Sequence, residues 1–221
     1  SQNLVSNPSF EKYFIIPDNF TTVKVKNQEV LPNWVFIATP DFFHKNAKTK
    51  VVGVPKNFAG SMKPHDGNGY AGLILRADPE YYVFSPKYSE FLQNELSEPL
   101  KKGKMYCMTL YISLAAKSGF AVDGFGLYFS NDRIVIKQKG DELIYKPHIE
   151  NKTGNIMYVQ NKWMQFSGIY KARGGEKYVT IGDFKSLEET QLMRIKSKLV
   201  EKIDFFSYYY IDNLSLVQIR K

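Results

Sequence analysis

Apolar and polar residues alternate with a period of two along much of this chain, the pattern of strands that bury one face. Over 105–114, Tyr106, Met108, Leu110, Ile112 and Leu114 fall on one side, and Met105, Cys107, Thr109, Tyr111 and Ser113 on the other. Similar stretches lie near 33–39, 70–77, 80–85, 124–130, 133–138, 163–171, 177–184 and 208–219. Turn sequences separate them: PHDGNG at 64–69, KKGK at 101–104, SND at 130–132, KGDE at 139–142 and RGG at 173–175. Many short strands with this punctuation predict an all-β sandwich or barrel. With no internal repeat and no Ser/Pro-rich linker, residues 1–221 are expected to form one domain.

Two segments break the rhythm. In 185–206, Leu192, Ile195, Leu199 and Ile203 follow spacings of three and four with Lys and Glu between them, which predicts a short helical insertion over 187–204. Such a helix would cover a sheet edge or offer a docking face. The stretch 40–66 lacks alternation and is long for a connection, so it is a candidate binding rim.

Composition sharpens this picture in three ways. Aromatics reach 15%, with 15 Tyr and 16 Phe, enough to fill a wide sandwich core and still leave rings for a binding surface. The net charge of +8 favours polyanions, but the lysines are spread along the chain and no arginine-rich block appears, so nucleic acid is not the expected partner. The lone cysteine, Cys107, has no partner for an intrachain disulfide and reads as a small core residue. No stretch approaches the roughly 20 apolar residues of a membrane-spanning helix.

Signals for catalysis are thin. There are three histidines, His44, His65 and His148, and no G-x-S-x-G, H-E-x-x-H or C-x-x-C. Nothing singles out a carboxylate pair for glycoside hydrolysis, one cysteine and three scattered histidines make no zinc cluster, and no residue is assigned a catalytic role. Sugar binding asks less: exposed aromatic rings for the apolar faces of the sugar, with amides and carboxylates for its hydroxyls. Phe42, Phe43, Phe58, Tyr81 and Tyr82 are the candidates, with Tyr88 nearby and Asn57, Asn68 and Asp78 as polar company. Trp34 and Trp163 sit within alternating strands and are expected in the core.

The motifs NLVSNPSFE (3–11), LPNW (31–34), TPDFF (39–43), VPKNFAGSMKPHDGNGYAGL (54–73), LSEPLKKGKMYCMTLYISLA (96–115), GFGLYFS (124–130), WMQFSGIYKARGGEKYVTIGDF (163–184) and YYYIDNLSL (208–216) cover nearly the whole chain in order. Together they resemble the galactose-binding-like jelly-roll module of exported cell-surface and outer-membrane-associated proteins of Gram-negative gliding bacteria. The resemblance implies a jelly-roll sandwich whose two ends lie side by side, and an exported protein of the periplasm or cell surface, with Ser1 following a removed export signal. It also implies a structural calcium ion at the acidic positions matched by Glu11 and Asp212; in this sequence the tight HDG turn at 65–67 offers Asp66 and its carbonyls to complete the cage. The expected function is non-catalytic recognition of glycan at the cell envelope through the 40–66 rim. The alternative is an accessory docking subunit of an outer-membrane complex for secretion, motility or nutrient uptake, with the helical insertion as its contact.

Overall fold

The computed structural model describes residues 2–21, 30–78, 88–135, 143, 145–196 and 205–219. In chain order its strands are β1 (Trp34–Ile37), β2 (Asp41–His44), β3 (Lys56–Asn57), β4 (Gly60–Ser61), β5 (Gly69–Ala77), β6 (Phe91–Glu95) and β7 (Met105–Leu114). They continue with β8 (Phe120–Val122), β9 (Gly126–Ser130), β10 (Ile149–Glu150), β11 (Met164–Lys171), β12 (Tyr178–Gly182), β13 (Leu192–Arg194) and β14 (Phe206–Gln218). Two five-stranded antiparallel sheets face each other, one ordered β1-β6-β12-β9-β10 and the other β11-β7-β14-β5-β2. The molecule is an all-β sandwich.

The alternation on β7 does what its pattern dictates. Tyr106, Met108, Leu110, Ile112 and Leu114 enter the core between the sheets with Leu73, Leu75, Leu127, Val179 and Ile181. On β14 the alternation changes phase: Tyr209 and Ile211 point into the core, and so do Leu214 and Leu216. A bulge between Asp212 and Ser215 accounts for the slip, with Asn213 at φ 48°, a left-handed conformation that Asn tolerates better than most residues.

The two ends of the chain do lie together. Beyond the reach of β5, the N-terminal segment runs along β14: Leu4 N–H donates to Leu216 C=O at 2.9 Å and Leu214 N–H to Pro8 C=O at 3.0 Å. The Asn3 side chain donates to Leu214 C=O and accepts from Leu216 N–H, both at 2.9 Å.

Two expectations change. The 40–66 segment folds down on the outer face of the β2-β5-β14 edge, where Val52, Ala59 and Met62 seal a second apolar cluster with Phe43, Tyr70, Tyr208 and Tyr210. It is a cover more than an open rim. The helix expected over 187–204 is absent among its described residues, while Leu199 and Ile203 lie outside them. Ser186 and Glu189 do form a reciprocal cap, Ser186 N–H to Glu189 Oε2 at 3.1 Å and Glu189 N–H to Ser186 Oγ at 3.3 Å, the device that starts a helix. One turn later Asp123 captures Gln191 N–H at 2.8 Å, and Leu192–Arg194 pairs with β8. Tertiary hydrogen bonds thus override the helical spacing, and the docking face imagined there is a strand. No helix among the described residues is long and apolar enough to cross a membrane.

Candidate functional site

The residues nominated for sugar stacking do not form a platform. In β2 both faces are covered, so the adjacent rings go opposite ways: Phe42 into the main core and Phe43 into the second cluster, at 1% and 0% exposure. A sugar cannot reach either. Asn57 is an internal hub, donating to Tyr70 Oη at 2.9 Å and accepting from Tyr210 Oη at 2.7 Å and Ala59 N–H at 3.0 Å. Phe58 is half-buried against Tyr208 and Phe43. Tyr81 and Tyr82 lie outside the described residues.

An open cleft of about 440 Å³ lies elsewhere, at the end of β9 where the 130–132 and 173–175 corners meet. The 173–175 corner needs special backbone: Gly174 and Gly175 sit at φ 102° and 94°, and a Cβ on Gly174 would come within 2.8 Å of Lys102 Cβ. The cleft holds a ladder of rings running from solvent to core. Tyr145, 40% exposed, stacks on Tyr128 with centroids 4.7 Å apart, and Tyr128 stacks on His148 at 4.8 Å. His148 meets Tyr170 at 4.8 Å, and Tyr170 lies nearly parallel to Phe129 at 4.5 Å.

The polar groups of the cleft divide into spent and free. Glu176 is buried and accepts from Tyr170 Oη at 2.6 Å, Arg173 N–H at 2.7 Å and Gly174 N–H at 2.9 Å. Burial works to raise its carboxyl, yet these donors hold it below the usual range. The Tyr170 hydroxyl is pushed up by burial and by the Glu176 charge. His148 Nδ1 accepts from Phe129 N–H at 3.1 Å, so the neutral ring carries its proton on Nε2. Burial and the Arg173 charge lower its pKa and keep it neutral. Arg173, Asn131 and Asp132 are exposed at the rim, free to meet hydroxyls. Sequence reasoning passed over Tyr128, Tyr145, His148 and Arg173. The available signal was Tyr128 in the outward phase of GFGLYFS, flanked by two glycine- or Asn-bearing corners.

Glu11, Asp66 and Asp212 are brought together, all at the 65–69 turn. Glu11 Oε1 accepts from Asn68 N–H at 2.6 Å and Gly69 N–H at 3.1 Å, and its Oε2 accepts from Asn68 Nδ2 at 2.8 Å. Asp212 Oδ2 accepts from His65 N–H at 2.7 Å and Asp66 N–H at 3.0 Å, and Oδ1 from Asn213 N–H at 2.7 Å. Asp66 Oδ2 accepts from Ser9 Oγ at 2.9 Å. Burial lifts the Asp212 carboxyl to about 7. Among the described residues no three acidic, His or Cys side chains are grouped to hold a metal ion. With N–H donors on three of the roughly four lone-pair positions of each carboxylate, Glu11 and Asp212 do not fit a preformed calcium cage.

No family model matches the sequence, and no curated protein does. Among solved structures the chain is similar to the CBM22-1–GH10 modules of the Clostridium thermocellum endo-1,4-β-D-xylanase 10B complexed with xylohexaose (12% identity, TM-score 0.47), covering 100% of this chain and 29% of that one. It is similar to the CBM22-1 xylan-binding domain of a Paenibacillus barcinonensis protein (12% identity, TM-score 0.45, 100% of this chain and 99% of that one). It also resembles the K3 cleaved adhesin domain of Lys-gingipain from Porphyromonas gingivalis (16% identity, TM-score 0.44, 96% of each chain). At these identities the likeness is one of fold.

Proposed function

We propose that the chain is a non-catalytic glycan-binding module that works outside the cytoplasm, at the cell envelope. The observation that carries this is the ring ladder that ends in an open Tyr145 face beside unspent polar groups. A sugar ring sets its C–H face on Tyr145, and Arg173, Asn131, Asp132 and the His148 Nε2–H take its hydroxyls. The volume suits a short stretch of glycan, since ligand sites commonly run to about 300–1,000 Å³. Glu176, the buried carboxylate among the described residues of the cleft, is committed to internal donors and is not offered to a glycosidic bond. The net charge of +8 favours acidic envelope polysaccharides over neutral ones.

Affinity gels and calorimetry with acidic and neutral envelope polysaccharides test this. Retention should weaken by at least about tenfold, or 1.4 kcal/mol, in Tyr145→Ala. Folded wild-type protein that is retained by none of them, or retention untouched by that substitution, overturns the assignment.

A further inference from the structure

We propose that this chain joins its two ends without a metal ion: Glu11 and Asp212 grip the 65–69 turn directly, in the place where the resemblance puts calcium. Three observations carry the proposal. The first is the kind of donor at each carboxylate. Glu11 takes Asn68 N–H, Gly69 N–H and the Asn68 amide, and Asp212 takes the N–H groups of His65, Asp66 and Asn213. A calcium cage needs carbonyl or carboxylate oxygens turned inward, whereas here the turn presents the positive ends of its peptide dipoles.

The second is space. Gly67 sits at φ 66°, and a Cβ built on it would lie 2.3 Å from Cδ and Oε1 of Glu11 and 2.7 Å from Oε2. The Glu11 carboxylate therefore rests flat on the turn, with no gap between them for an ion. The third is continuity. The turn is held by Glu11 from the N-terminal segment and by Asp212 from β14, and those same two segments are already tied by Leu4–Leu216 and Leu214–Pro8 backbone bonds. Ser9 adds its hydroxyl to Asp66. The closure is complete as a hydrogen-bonded clasp, and Gly67 is the residue that lets it shut.

Thermal unfolding of the full chain in chelator and in millimolar calcium tests this without any variant. The midpoint should be unchanged to within about 1 °C, since a ligand that does not bind the native state shifts nothing. Gly67→Ala and Glu11→Gln should each lower the midpoint, and calcium should restore neither. A calcium-dependent rise of about 5 °C or more in the wild type, the scale expected once the ion exceeds its Kd about a hundredfold, overturns the proposal. So does a calorimetric calcium site that Glu11→Gln removes.

Discussion

Two aromatic assemblies on this sandwich, built from the same residue types, have opposite fates. On the outside of the β2-β5-β14 edge, Phe43, Tyr70, Tyr208 and Tyr210 pack edge to face or at a tilt with one another and with Phe58 of the covering 45–63 segment. Every tyrosine hydroxyl there has a partner inside: Tyr70 donates to Met62 C=O at 3.0 Å, Tyr208 to Asp41 Oδ2 at 2.6 Å and Tyr210 to Asn57 Oδ1 at 2.7 Å. At the β9 end, the stack of Tyr145, Tyr128 and His148 is left open to solvent at one ring. Aromatic abundance thus says little about binding. What separates the two is whether the last ring and its polar neighbours are satisfied from within.

That contrast can be broken most sharply in the sealed assembly. Tyr210→Ala should cost on the order of 3–5 kcal/mol, through the void it leaves and the hydrogen bond lost to Asn57 Oδ1, and should lower the melting temperature by about 10 °C in calorimetry. The second effect is one of pH. Asp41, buried beside Glu90, has its carboxyl raised to about 8 by burial first and then by the Glu90 charge. The folded chain keeps a proton there that the unfolded chain releases above 3.8, so this group makes stability fall as pH climbs from about 4 to about 8 and leaves it level beyond. Burial raises Glu90 as well, and it adds with the same sign. Melting curves across this range should show that decline, and Asp41→Asn should make it shallower, with Glu90 and Asp212 supplying what remains. The smallest effect on stability belongs to the open stack: Tyr145→Ala should change it by no more than about 1 kcal/mol while weakening glycan retention at least about tenfold. A large loss there would mean that the ladder is core and not a site.

How far the residues announce all this depends on how local the cause is. The period of β7 is a local property, and Tyr106 to Leu114 fall where their alternation says. The phase change in YYYIDNLSL is also visible, since Tyr209 and Ile211 cannot share a face with Leu214 and Leu216 unless a residue is bulged out between them. The FF doublet at 42–43 misleads because alternation tells that the rings diverge but not that both sides are covered. Leu192 and Ile195, with the S-x-x-E cap before them, carry a true helix signal, and the distant Asp123 and β8 together reverse it. The cleft is harder still: residues 128, 145, 148 and 173 come from separate strands and corners, and each is ordinary where it stands. The meeting of Glu11 with Asp212 is legible by resemblance, whereas the direction of the turn's N–H groups is not.

The surplus residue at Asn213 sets a constraint on chain length that no contact by itself would reveal. It lets Asp212 face the turn while the very next pair of leucines goes back under cover, so the stretch from Tyr208 to Leu216 must keep an odd beat. Straightening the strand with every residue kept would turn Leu214 and Leu216 outward and pull away the rail on which residues 3–8 lie, whereas removing Asn213 as well would return the leucines to phase but strip Asp212 of the Asn213 N–H. An added residue should therefore be far less welcome in this stretch than a substitution, because what it conveys from one end of the sandwich to the other is phase.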